Sequence, residues 1–208
     1  MGRRLMPFRQ GTLDGLCGPY SVVNAIRFAM YTLRHKASSL VRQELDEHDA
    51  ELLFGRLIEQ LVRRRSDSRI VVDGVNQAQM SILLRVADEW LRENRSMRLS
   101  FKRPLKHPRA HKRAVLREIA SHLGEPGTAA IIAGSDPWLH WSVATKVTPA
   151  CLILFDSGGD RYIFIDRGPR KRTFHAGLVH PPDLHLVTLT ADSRSLSARS
   201  ATPAKSKR

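Results

Sequence analysis

The stretch His140-Trp141-Ser142-Val143-Ala144-Thr145-Lys146-Val147-Thr148-Pro149-Ala150-Cys151-Leu152-Ile153-Leu154-Phe155-Asp156 consists of two apolar, β-branched runs separated by three residues. A link as short as Thr148-Pro149-Ala150 suits an antiparallel hairpin, which brings the start of the first run beside the end of the second. His140 and Asp156 are therefore expected to be neighbours. A carboxylate in that position accepts one imidazole N–H, fixes the tautomer and stabilises the charged ring, leaving the other nitrogen for a reacting group. Asp156-Ser157-Gly158-Gly159 closes the second strand as a turn.

Outward from this hairpin, apolar patterning predicts strands at Thr128 to Gly134, His140 to Val147, Cys151 to Phe155, Arg161 to Ile165 and Leu184 to Thr190. The earlier part of the chain has helical spacing instead. Val22, Val23, Ile26, Ala29, Met30 and Leu33 mark a helix in the run from Tyr20 to Leu33. Leu52, Leu53, Leu57, Ile58, Leu61 and Val62 mark one from Glu44 to Arg65. Met80, Leu83, Leu84, Ala87 and Leu91 mark one from Gln77 to Glu93, and Ala110 to Leu123 is a further one stopped by Gly124. Helices first and strands later give an α+β class. The expected organisation is a single domain over 1–192, with a helical half of about 1–124, an antiparallel sheet half of about 125–192, and a basic, disordered tail over 193–208.

The first helix carries the most reactive residue of the chain. In Gln10-Gly11-Thr12-Leu13-Asp14-Gly15-Leu16-Cys17-Gly18-Pro19-Tyr20, Cys17 stands where the helix should begin, and Gly15 and Gly18 permit a tight, closely approaching backbone. Unpaired amides and the helix dipole at such a position stabilise an anion, and the thiolate is the nucleophilic form of cysteine. A nucleophile also needs a base and a group that orients the base, roles that His140 and Asp156 can fill.

Taken together, these residues resemble the papain-like cysteine peptidases, and within that fold the chain is similar to stand-alone bacterial peptidases related to the C39 group. The likeness lies in order and spacing: Gln10 precedes Cys17 by 7 positions, His140 follows 123 later, and Asp156 another 16. In the papain branch the histidine comes about 130 residues after the cysteine. The papain-branch tryptophan after the cysteine motif is absent, with Pro19 and Tyr20 in its place. The resemblance implies a papain-like fold, with the nucleophile on the helical half and the base on the sheet half, facing each other across a cleft. It also implies that Cys17 attacks an acyl carbonyl, that His140 protonates the leaving amine and then activates water, and that Asp156 holds His140. Gln10 and the Cys17 N–H would form the oxyanion hole. The implied activity is hydrolysis of a peptide or isopeptide bond through a thioester. Transglutaminase- or deamidase-type acyl transfer uses the same site, and a catalytically inactive basic binding protein on this scaffold is the non-enzymatic alternative.

Composition narrows the setting. The chain has 208 residues and is 42% hydrophobic, enough for one core. Its two cysteines, Cys17 and Cys151, make no disulfide scheme, which suits a reducing cytoplasm. The N-terminal sequence has no evident signal peptide, although secretion as an effector stays open, and no run reaches the length of a membrane span. The net charge is +14, and Arg95 to Arg117 holds nine Lys or Arg with no Asp or Glu. Arg167, Arg170, Lys171 and Arg172 add a second basic cluster. An acidic protein substrate, nucleic acid or an anionic surface would suit such charge, as would a simply solvated basic face; aromatic residues do not interleave with it as base-stacking surfaces require. His107 and His111 have the spacing of a helical metal pair, but Pro108 intervenes and no zincin glutamate accompanies them, so neither metal nor cofactor is expected. His175, His180 and His185 read as loop histidines. Specificity is expected from loops near Arg34 to Gln43, Asp73 to Asn76 and Gly134 to Trp138, and Trp138 and Trp141 flank His140 as shields or as core.

Overall fold

A computed structural model describes residues 5–10, 15–36, 44–64, 74–108, 110–134, 139–165 and 179–192. The basic cluster at 167–172, His175, Trp138 and the tail at 193–208 lie outside the described residues. The described chain is α+β. Helices α1 (Cys17–Lys36), α2 (Glu47–Arg64), α3 (Gln77–Arg95) and α4 (Lys112–His122) accompany strands β1 (Met97–Lys102), β2 (Thr128–Ala133), β3 (Trp141–Val147), β4 (Cys151–Leu154), β5 (Tyr162–Phe164) and β6 (His185–Ala191). The strands form one antiparallel sheet in the order β1-β6-β2-β3-β4-β5.

Strand β2 is buried along its whole length because the sheet is covered on both faces. Its alternate side chains go to different cores, as the two-residue period requires. Ala129, Ile131 and Ala133 pack with α1, α2 and α3, together with Ile26, Leu53, Leu57, Leu84 and Trp90. Ala130 and Ile132 pack with Val115 and Ile119 of α4 and with Leu152, Leu154 and Ile163. The apolar periodicity of α1 through α3 therefore buries one face of each helix against the first core.

One strand differs from the sequence expectation. Strand β1 lies inside the stretch read as the helical half and pairs with β6 from Met97 opposite Ala191 to Lys102 opposite Leu186. Met97 and Leu99 point inward while Arg98, Ser100 and Lys102 point to solvent, so Arg98 and Lys102 of this basic run belong to the outer face of an edge strand. Ser96, in the left-handed conformation at φ 51°, turns the chain from α3 into β1.

Candidate active site

Cys17 is the first residue of α1. The helix opens with the Tyr20 N–H bonded to the Leu16 carbonyl at 3.2 Å, so Leu16 caps it and Pro19 falls in the first turn, where an absent N–H costs nothing. The amides of Cys17 and Gly18 belong to the first turn, which has no intrahelical acceptors. Gly18 also lets this end of α1 meet the segment before α3: a Cβ at Gly18 would lie 2.0 Å from Val75 Cγ2.

The hairpin delivers the base. β3 and β4 pair antiparallel across Thr148-Pro149-Ala150, and His140 Nε2 lies 2.8 Å from Asp156 Oδ1. The imidazole and the Cys17 thiol line the same cavity, close enough for the sulfur to act on the protonation of the ring. A helix start, a strand start and a strand end thus bring Cys17, His140 and Asp156 to one place. The buried Trp141 N–H donates to Cys17 Sγ at 3.5 Å, and the Trp141 indole N–H donates to the Val75 carbonyl at 2.8 Å. Trp141 is thereby core rather than a shield at the surface, and its amide is a contact to the sulfur that no motif announces.

Asp156 is 2% exposed and uses both carboxylate oxygens, since Oδ2 accepts the Asp160 N–H at 3.1 Å. Burial raises its pKa, but the bond and charge of His140, followed by the nearby Ser142 hydroxyl and the Asp160 amide, hold it below the ordinary 3.8. Ser142 Oγ is buried and acts at short range without itself reaching hydrogen-bond geometry. For His140, burial opposes the charged ring; the bonds to Asp156 and Cys17 and their attraction outweigh it and raise the pKa from 6.5 to about 10. A raised histidine stabilises the fold fully below its unfolded pKa and loses that contribution as pH climbs through its folded value. Chemical denaturation should therefore show stability falling between about pH 6.5 and 10. It should also fall in acid below 3.8, as Asp156 takes up its proton. In His140→Gln the alkaline decline should flatten, and an unchanged decline would contradict the coupling.

Gln10 sits on the loop that follows Asp156. Its N–H bonds the Ser157 carbonyl at 3.2 Å, and its side-chain Oε1 accepts the Ser157 hydroxyl at 3.2 Å. The segment leading to it is fixed by buried Asn24, which accepts the Phe8 N–H at 2.7 Å and donates to the Phe8 carbonyl at 3.1 Å.

A cavity of about 540 Å³ opens beside the sulfur, lined in part by Cys17, His140, Leu139, Gly74, Asn76 and Gly134; Gln10 is not among its lining residues. Of the loops expected to set specificity, Gly74 to Asn76 and Gly134 line it. The cavity also receives His180 and Asp183, whose side chains are joined at 2.8 Å. Neither was singled out by a sequence motif. His185 is no loop residue: it begins β6 fully buried, where burial lowers its pKa and keeps the ring neutral. His111 caps α4 by accepting the Arg113 N–H at 3.2 Å. Among the described residues no three His, Cys, Asp or Glu side chains are grouped to hold a metal. No described helix is long and apolar enough to cross a membrane.

No protein-family model, curated protein or solved structure matches the chain.

Proposed function

We propose that this chain is a cysteine peptidase or isopeptidase of papain-like type. The observation that carries the reading is that Cys17 and an Asp156-bound His140 line one cavity large enough for part of a peptide, with the sulfur close enough to act on the ring. A charged imidazole beside the sulfur stabilises the thiolate, and the Trp141 N–H and the start of α1 add to that stabilisation.

Attack of the Cys17 thiolate on a substrate carbonyl forms the C–S bond and a tetrahedral oxyanion. The Cys17 N–H is one donor to that oxyanion. The papain-like resemblance names the Gln10 carboxamide as the second; its oxygen is held by Ser157, and it would have to reach the oxyanion from outside the residues that line the cavity. His140 gives its proton to the departing amine as the C–N bond breaks, leaving a thioester. It then takes a proton from water, which displaces the sulfur and releases the acid. Asp156 keeps the ring oriented throughout. The buried Asp156 carboxylate, which holds His140 with one oxygen and is itself fixed by the Asp160 N–H through the other, supports the catalytic over the binding-only reading.

Cys17→Ala should abolish cleavage in a proteome-derived peptide digest read by mass spectrometry, while the wild-type chain produces new termini. Cleavage that survived this substitution would overturn the proposal.

A further inference from the structure

Four carbonyls of one short turn beside the cavity are taken up. The turn runs from His180 through the 3-10 helix Pro181–Asp183. The His180 carbonyl accepts the Asp183 N–H at 3.0 Å, and the Pro181 carbonyl accepts the Leu184 N–H at 3.2 Å. The Pro182 carbonyl accepts from the Gln77 side chain and, at 3.3 Å, from Arg103 Nε. The Asp183 carbonyl meets the ring of buried His185 at 3.0 Å, and that ring reaches Ser81 of α3 on its other side at 3.4 Å. At the start of the turn the His180 N–H bonds the Ala133 carbonyl at 2.8 Å, and Val179 bridges Gly134. Buried Pro181 and Pro182 restrict the backbone further.

An exposed His–Asp pair on a loose loop would be an ordinary surface contact worth little. This pair is held by β2, α3, β6 and Arg103, which follows β1, and it lines the cavity beside Cys17, so its position is fixed before any ligand arrives. Asp183 is the only carboxylate among the described residues lining the cavity. Its Oδ2 is engaged by His180 Nδ1, which orients the group and leaves Oδ1 to a ligand. Arg103, which braces the turn, does not line the cavity.

We propose that the Asp183 carboxylate, steadied by His180, receives a cationic amine or guanidinium group of the substrate next to the bond presented to Cys17. The inference rests on the peptidase reading and gives it a substrate class: peptides with a basic group at this site, in contrast to the acidic partner that net charge alone suggests.

The test compares modification of Cys17 by cationic, neutral and anionic methanethiosulfonates of similar size in the full chain, with Cys151 as internal reference. Asp183→Asn keeps an acceptor for His180, and should lower the cationic-to-anionic rate ratio at Cys17 by roughly threefold or more while leaving Cys151 unchanged. Asp183→Glu should restore the ratio. An unchanged ratio in the Asn variant, or a Cys17 that none of the reagents reaches, would overturn the site. Because the readout is charge rather than turnover, a reduced ratio in a chain that cleaves nothing would keep the site and sink the peptidase reading. Cys17-dependent cleavage with an unchanged ratio would do the reverse. On cleaved peptides, Lys→Gln replacement, Arg→Gln replacement and acetylation of the amino terminus identify which cation occupies it; loss of cleavage with any of them supports the site, and loss with none contradicts it.

Discussion

Asp156→Asn is expected to reduce turnover by about 10²- to 10⁴-fold while leaving Cys17 and His140 in place. The native carboxylate supplies two acceptors, one to His140 Nε2 and one to the Asp160 N–H. A carboxamide has only one, so whichever way it turns, its NH2 faces a donor. Oriented toward His140, the amide removes the acceptor that holds the ring; oriented toward Asp160, it keeps the ring bond but loses the charge. In either orientation the His140 pKa should drop well below its value of about 10, because the bond and charge of Asp156 are principal supports against burial. The buried unmet donor should also cost roughly 1–3 kcal/mol of stability. Imidazole titration by nuclear magnetic resonance reads the pKa directly. A His140 that kept its high pKa in Asp156→Asn would show that Asp156 is not what sustains the charged ring.

Gly18→Ala should destabilise the chain by roughly 1–3 kcal/mol, a shift of several degrees in melting temperature. The added methyl would stand 2.0 Å from Val75 Cγ2 and 3.3 Å from Val75 Cβ. Val75 cannot swing aside cheaply, because the Trp141 indole holds its carbonyl and its side chain is buried. The clash has a functional side as well, since Gly74, Val75 and Asn76 form one wall of the cavity next to Cys17. Trimming the partner should reverse the effect: Gly18→Ala with Val75→Ala should regain most of the lost melting temperature. Thermal melts in which Gly18→Ala alone was as stable as wild type would contradict this packing.

What could be read in the sequence and what could not divide along physical lines. Cys17, His140 and Asp156 each lie at the end of an element with a strong local signature, a helix start or a strand boundary, and the three-residue link at 148–150 dictates an antiparallel hairpin, although a register shift between Ala144 and Lys146 alters the pairing toward the His140 end. Their juxtaposition could therefore be predicted from local rules. Strand β1 was hidden because its charge drew more notice than its alternation: Met97, Leu99 and Phe101 keep the period of two beneath Arg98 and Lys102. The Trp141 contact to sulfur is made by a backbone amide, which no residue type encodes. The fit of Gly18 against Val75 joins positions 57 residues apart, and nothing but a tertiary approach explains that glycine. His180 and Asp183 have the spacing of any i, i+3 pair. Their meaning comes from the Gly134–Val179 bridge that carries the turn to the cavity.

The central claim is that His140 holds a proton beside a nucleophilic Cys17 sulfur, and the most direct measurement is the rate of Cys17 alkylation by iodoacetamide from pH 4 to 9, in wild type and in His140→Ala. The expected wild-type profile retains substantial reactivity well below pH 7, and the His140→Ala profile loses that acidic arm. A wild-type Cys17 that reacts only in the alkaline range, with the same profile as His140→Ala, would contradict the thiolate–imidazolium pair and with it the proposed catalysis.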